Sequence, residues 1–370
     1  MKNTKILVKT KSKIYPIYFG SEILGRTGSL INKHIPGVKK VCIISDKKIP
    51  LKFLKKLTNS LNKYNINIYK ISTSEKVKNL NTANKIIEKL LKENYDRSDC
   101  IIAFGGGIIG DLSSFVANLT KRGLNFINIP STLLSQVDAS IGGKTAVNSN
   151  QGKNLIGTFY QPTFILTDTT LLKSLPQREI INGYAEVLKH SLILERKFFL
   201  WLYKNAKKTI NKRSDKDLKK IIIKSCKIKS SIVNKDEKEK NLRMVLNFGH
   251  TFAHGLEGAS NFSKKLNHGE AVLLGMMAAC KLAVERKRFK KSDLTLLETH
   301  YKDLKLPLKI NKFFRKKNIN KIIYFMKKDK KNFNQKINII LIKKIGKADK
   351  PGKFTVNQSE LRKFFIKNYF

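Results

Sequence analysis

Acidic residues and arginines are both scarce in this 370-residue chain: 27 Asp and Glu stand against 75 Lys and Arg, a formal net charge of +48, and only 11 of the 75 are Arg. A surface built to grip a phosphate backbone favours the forked guanidinium, which binds two oxygens at once. Lysine here is instead spread along the chain among abundant Asn and Ile. That composition reads as background drift, and no specific nucleic-acid partner is expected. The charge can still draw a small anionic substrate inward at low salt.

Cysteine is almost as rare. Cys42, Cys100, Cys226 and Cys280 lie far apart and form no CxxC pair, which excludes a disulfide scaffold and a zinc ribbon. The longest apolar run, Ala271 to Cys280, is too short to span a bilayer, and the opening MKNTKILVKTKSKIY lacks the apolar core of a signal peptide. A soluble, cytoplasmic protein with reduced thiols and no membrane partner is expected.

With 41% apolar residues, the chain is long enough for two domains. Up to about residue 170, short β-branched runs alternate with amphipathic segments, the pattern of an α/β layer fold. ILVKT and KIYPIYF read as a strand pair, KKVCIISD (39–46) as a strand ending in an acid, and NLNTANKIIEKLLKEN (79–94) as a helix. DCIIAFGGG, NFINIPST and TFILTD are strands running into polar or glycine-rich residues, where ligands of such sheets gather. From Leu171 the texture becomes helical, with KINIILIKKIG (336–346) as one late strand. The expected division is an α/β domain over 1–170 and a mostly α-helical domain over 171–370.

Two constellations carry chemistry. In AFGGGIIGD, Ala103 to Asp111, a strand opens into a helix through glycines, so backbone N–H groups and the helix dipole can face a diphosphate. Gly105, Gly107 and Gly110 satisfy G-x-G-x-x-G, but no acid follows about 20 residues on to hold a ribose. Asp46 and Glu75 are upstream acidic candidates. The second constellation gathers three of the six histidines, His250, His254 and His268, within nineteen residues, with Glu186 as a fourth candidate ligand. On a helix, His250 and His254 share a face, and spacing alone leaves open whether both bind a metal. Lys144, Lys153, Asn154, Lys189, Lys229, Arg243 and Asn247 form a density of donors suited to a phosphate and a carboxylate.

The stretches GGGIIGDLSSFVAN, IPSTLLSQVDASIGGKTAVN, GKNLIGTFYQP, LPQREIINGYAEVLKH, DEKEKNLRMVLNFGHTFAHGLE and HGEAVLLGM together resemble the 3-dehydroquinate synthases of the shikimate pathway, in order from about residue 40 to 345. The resemblance implies the bacterial monofunctional form, usually a homodimer, with an α/β N-terminal nucleotide-binding domain and a mostly α-helical C-terminal domain. It implies zinc, or cobalt in its place, on Glu186, His250 and His268, which moves His254 to the substrate side. It implies NAD on Gly106 and Gly107 near Asp111, Ser131, Thr132, Lys144, Lys153, Ser174 and Glu179, with Asp46, Glu75 and Lys78 toward the adenosine end. Substrate contacts are implied for Asp138, Lys144, Asn154, Lys189, Lys229, Arg243, Asn247, His254 and Lys330, and Arg122 would reach the phosphate from a neighbouring subunit. The chain departs from the family's pattern at Ala146, Ser149, Asn241, Ala253 and Gly255, none of them a ligand candidate.

The implied reaction turns 3-deoxy-D-arabino-heptulosonate 7-phosphate into 3-dehydroquinate and phosphate, through transient oxidation by NAD, phosphate loss, re-reduction and an intramolecular aldol closure. Two alternatives share the scaffold: another sugar phosphate cyclase and a metal-dependent polyol dehydrogenase. Lys229 and Arg243 argue for a substrate with a carboxylate, which the other cyclases do not need. A basic nucleic-acid-binding protein with a decayed enzyme fold is a third reading, and intact Glu186, His250 and His268 speak against it.

Overall fold

In the computed structural model, the structure describes residues 4–328 and 336–370. Lys330 lies outside the described residues. In chain order the main elements are β1 (Thr4–Lys9), β2 (Ile14–Gly20), α1 (Thr27–His34), β3 (Lys40–Asp46), α2 (Leu51–Asn59), β4 (Asn65–Ile71), α3 (Leu80–Lys92), β5 (Cys100–Gly105), α4 (Gly107–Leu119), β6 (Asn125–Pro130), β7 (Lys144–Ser149), β8 (Gly152–Phe159) and β9 (Phe164–Asp168). The helices α5 (Gln177–Leu194), α6 (Arg196–Lys212), α7 (Asp215–Val233), α8 (His250–Ala259), α9 (His268–Glu285), α10 (Lys291–Asp303), α11 (Ile319–Lys327) and α12 (Gln358–Tyr369) follow. Packing divides the chain into one unit of Met1–Glu179 with Arg213–Lys238 and another of Ile180–Lys212 with Glu239–Phe370. This departs from the single cut expected after residue 170, because α7 joins the first unit.

Among the described residues, seven strands form the principal sheet of the first unit, in the order β1-β2-β9-β6-β5-β3-β4, with β1 antiparallel to β2 and the other pairs parallel. The period of two along β3 sends Val41 and Ile43 into one core and Cys42 and Ile44 into the other. A parallel sheet covered on both faces explains why these strands read as unbroken apolar runs. Asn79 starts α3 by accepting the Thr82 N–H at 2.8 Å, and Ala83, Ile86 and Leu90 form its buried face. Helix α7 packs on the 135–139 turn and on β1, burying Leu218, Ile221, Ile222, Ser225, Ile228 and Ile232.

In the second unit, α8 packs against α9 and α11. The α8–α9 contact needs two glycines. Gly249 has φ +80°, a region unfavourable to other residues, and a Cβ on Gly275 would lie 2.1 Å from the Gly249 carbonyl oxygen. The late strand expected over 336–346 is not continuous: Ile337–Asn338 pairs with Thr355–Val356, while Ile342–Lys344 pairs with Lys347–Ala348. Four successive apolar residues, Ile339 to Ile342, are buried regardless of parity, so alternation there does not describe one pleated strand.

His300 is buried in this unit among Tyr184, Phe199 and Tyr203, and the Tyr184 hydroxyl lies 2.7 Å from its Nε2. Burial holds its pKa down at about 4. The folded state therefore resists a proton that the unfolded chain accepts near pH 6.5. Stability from this group is complete above 6.5 and is lost as pH falls toward 4, at most about 3 kcal/mol for a shift of this size. Denaturant unfolding of wild type and His300→Gln from pH 7 to 4 should show their stability difference shrinking as pH falls; a constant difference contradicts a neutral His300.

Candidate active site

In the first unit, β5 ends at Gly105 and α4 begins at Gly107, with Gly106 in extended conformation between them. No side chain caps this helix and no acid occupies its first turn, so its leading N–H groups suit a diphosphate. Ser131 is tied to this turn by its N–H on the Gly105 carbonyl at 2.8 Å, and the Thr132 and Ser135 hydroxyls sit 2.8 Å apart beside it. Lys78 is nearly enclosed, and its ammonium donates to Asp111 Oδ2 and to Asn154 Oδ1, both at 2.5 Å. Three residues separated by up to 76 positions thus meet at one ammonium. Burial raises the Asp111 pKa, and the Lys78 charge opposes that shift.

Further out, Glu75 pairs with Lys153 at 3.4 Å and accepts from Asn148 Nδ2 at 2.9 Å. Asp46, at the end of β3, accepts from the Thr73 hydroxyl at 2.8 Å. Lys229, on α7, donates to the Asp138 carbonyl at 2.5 Å and pairs with its carboxylate at 2.8 Å. Lys144 opens β7, and Arg122 stands in the short helical turn after α4 with φ 64°. Ser174 donates its hydroxyl to the Leu171 carbonyl, and Glu179 lies in the first turn of α5.

In the second unit, α5 carries Glu186, the start of α8 carries His250, and the start of α9 carries His268. One ligand atom from each lies within 4.8 Å of the others. His250 Nε2 is 3.6 Å and His268 Nε2 is 3.9 Å from Glu186 Oε1. Two donors on a tetrahedral ion with bonds of ~2.1 Å stand roughly 3.4 Å apart, so a small inward adjustment seats a divalent cation. Glu186 is fully buried and neither oxygen accepts a hydrogen bond; Lys189, one turn on, faces Oε2 as an ion pair. Lys189 offsets the charge at Oε2, while the buried Oε1, without a hydrogen bond and facing two imidazole nitrogens, is a donor atom available to a metal ion.

The histidines are oriented from behind. His250 Nδ1 lies 3.2 Å from the Phe248 carbonyl, which can only accept, and His268 Nδ1 lies 3.3 Å from Glu257 Oε2. Each leaves Nε2 toward Glu186 as a ligand needs. Burial, with the Lys189 charge and the neighbouring imidazoles, pushes the His250 pKa well down. For His268, burial acts downward but the Glu257 and Glu186 carboxylates outweigh it and raise the pKa.

His254 lies one turn along α8, its ring 5.8 Å from that of His250 and nearly perpendicular to it. Its atoms are not in the Glu186 cluster, so the two histidines of the helix diverge. Arg243 and Asn247 sit in the 3-10 turn Leu242–Asn247 that leads into α8, and Arg243 is buried. The sequence reading missed two acids here. Asn247 Nδ2 donates to Glu239 at 2.7 Å, and Glu257 steers His268. The signal for Glu239 was its place four residues before Arg243; Glu257 gave none beyond lying three residues after His254.

The model of the 3-dehydroquinate synthase N-terminal domain matches residues 68–182, and that of the C-terminal domain matches 183–332. The chain belongs to the 3-dehydroquinate synthase family. The family relative from Pelagibacter ubique is 48% identical over 92% of this chain and 93% of its own length, and that from Thermoanaerobacter pseudethanolicus is 38% identical over 97% and 98%. Among solved structures, a 2-deoxy-scyllo-inosose synthase complexed with carbaglucose-6-phosphate, NAD+ and Co2+ matches with a TM-score of 0.86 over 99% of this chain and 100% of its own, at 24% identity. That likeness establishes the dehydroquinate synthase-like fold: an α/β part with a parallel sheet and a helical part. Among the described residues, no helix is long and apolar enough to cross a membrane.

Proposed function

We propose that the chain converts 3-deoxy-D-arabino-heptulosonate 7-phosphate into 3-dehydroquinate and phosphate, as a carbon–oxygen lyase of the shikimate pathway that works in the cytoplasm as a homodimer. The observation that carries this is the fully buried Glu186 carboxylate facing two imidazole Nε2 atoms, in a chain whose relatives are 3-dehydroquinate synthases along nearly its whole length. Zinc or cobalt fits Glu186, His250 and His268, and NAD fits the uncapped start of α4 with Gly106 and Gly107. Bound there, the metal supplies Lewis acidity and NAD a reversible store for hydride, so NAD ends unchanged.

The chain's own residues bind and orient. Ser131, Thr132, Lys144, Lys153, Ser174, Glu179 and Asp111 serve the cofactor, with Asp46, Glu75 and Lys78 toward its adenosine. Lys78 holds Asp111 and Asn154 in register, so cofactor and substrate contacts are set together. Asp138, Lys144, Asn154, Lys189, Lys229, Arg243, Asn247 and Lys330 contact the substrate, cations and amides holding its anionic groups, and the partner subunit's Arg122 reaches its phosphate. Each well-placed donor of this kind is worth roughly 3–4 kcal/mol in the transition state. His254 hydrogen-bonds the substrate and handles a proton at one of its hydroxyl oxygens.

The test is phosphate release from the heptulosonate phosphate with NAD and zinc present. Phosphate should appear with no net rise in NADH absorbance, and chelation should stop it. Stoichiometric NADH would point to a polyol dehydrogenase; a preference for a sugar phosphate without a carboxylate would point to another cyclase.

A further inference from the structure

Glu237 takes no part in the chemistry above, yet it is 8% exposed and its carboxylate is a junction. It accepts from the Ser12 N–H at 3.1 Å, from the Ser12 hydroxyl, and from Gln161 Nε2 at 2.8 Å. Ser12 belongs to the turn between β1 and β2. Three residues earlier, Asn234 accepts the Lys9 N–H at 2.8 Å, so the end of α7 is tied to the β1–β2 hairpin at two points. Helix α7 carries Lys229.

The other arm of the junction reaches Lys144. Gln161 packs on Gly143, where φ is +66° and a Cβ would stand 2.6 Å from the Gln161 amide nitrogen. Gly143 gives its carbonyl to the Tyr160 N–H at 2.7 Å, and Gly142 donates its N–H to the Tyr15 hydroxyl at 3.1 Å. The next residue is Lys144, paired with Phe159 as β7 begins. Burial works to raise the Glu237 pKa, but the hydrogen bonds from Ser12, Gln161 and Thr10 outweigh it and hold the carboxyl below its usual range.

We infer that Glu237 is a positioning residue, holding the Gly142–Lys144 turn through Gln161 and the Lys229 helix through the β1–β2 turn, so that both ammonium groups are set before substrate arrives. The inference rests on the substrate roles proposed for Lys144 and Lys229. A displacement of about 1 Å in such groups is enough to cost a large factor in rate.

The experiment measures kcat and KM for the heptulosonate phosphate, bound zinc and Tm in Glu237→Ala, Gln161→Ala, their double variant and Glu237→Gln. The expected result is a loss in kcat/KM on the order of tenfold or more in each alanine variant, with KM raised. The double variant should lose about as much as one single, zinc content should hold, and Glu237→Gln should recover most of the rate because Gln161 can turn its amide to match. Should Glu237→Ala fail to fold, Gln161→Ala alone decides. Folded variants with a lowered Tm but kcat and KM within about twofold of wild type would overturn the positioning role, leaving a stability role. A wild type that releases no phosphate would overturn the reaction itself, and this role with it.

Discussion

Replacing His250 by Ala should yield a folded protein that no longer retains zinc, with kcat/KM down by on the order of a thousandfold. Its Nε2 is one of two imidazole nitrogens facing Glu186 Oε1, and His254, one turn along the same helix, stands outside that donor cluster. Losing Lewis acidity at a reacting oxygen removes several kcal/mol, and about 4 kcal/mol corresponds to that thousandfold. His254→Ala should keep its zinc and lose rate. Glu257→Gln should fall between, since the carboxylate that orients a metal-binding histidine is worth about 10–100-fold in metal affinity. Elemental analysis of purified protein and competition with a chromophoric chelator measure the metal independently of turnover. Full zinc occupancy in His250→Ala would remove this histidine from the ligand set.

The division of labour in LNFGHTFAHGLE was only partly legible. Spacing gives a shared helix face for His250 and His254, and a face is wider than a metal site. What separates them is Gly249, whose left-handed backbone and missing Cβ let α8 lie close on α9 and bring His268 to the His250 side. That contact joins residues far apart in pattern terms, and no periodicity reports it. The glycine turn after β5 was legible because strand, glycine and helix start are adjacent in sequence. The clamp at Lys78 was not. It depends on Asn79 bridging to Asn148 and on the β7–β8 hairpin, whose polar and glycine-rich residues look like loop until they are paired.

Helix α7 makes the same point for domains. Its apolar residues fall at helical spacing like those of its neighbours on either side, so the sequence identifies a helix and leaves open which core receives it. The answer lies in the β1 and 135–139 surface, about 80 to 220 residues earlier. Glu237 and Asn234, which fasten the end of that helix, read locally as solvated charge and amide in a Lys-rich stretch.

Arg243→Ala should lower kcat/KM by a hundredfold to a thousandfold, about 3–4 kcal/mol, with the metal retained. Arg243 is 2% exposed, in the turn that precedes α8. A buried guanidinium costs several kcal/mol to desolvate, which is tolerable where it faces an anion during turnover. The fork binds both oxygens of a carboxylate, whereas a lysine would offer a point charge on a flexible stem of shorter reach. Arg243→Lys should therefore restore only a small part of the rate, although it restores the charge. The decisive comparison uses a substrate analogue with a hydroxymethyl group in place of the carboxylate. Wild type should lose most of its advantage on that analogue, and Arg243→Ala should lose little more, because the interaction each change removes is the same one. If instead the two losses add in full, Arg243 serves another part of the substrate, and the preference for a carboxylate has its origin elsewhere in the chain.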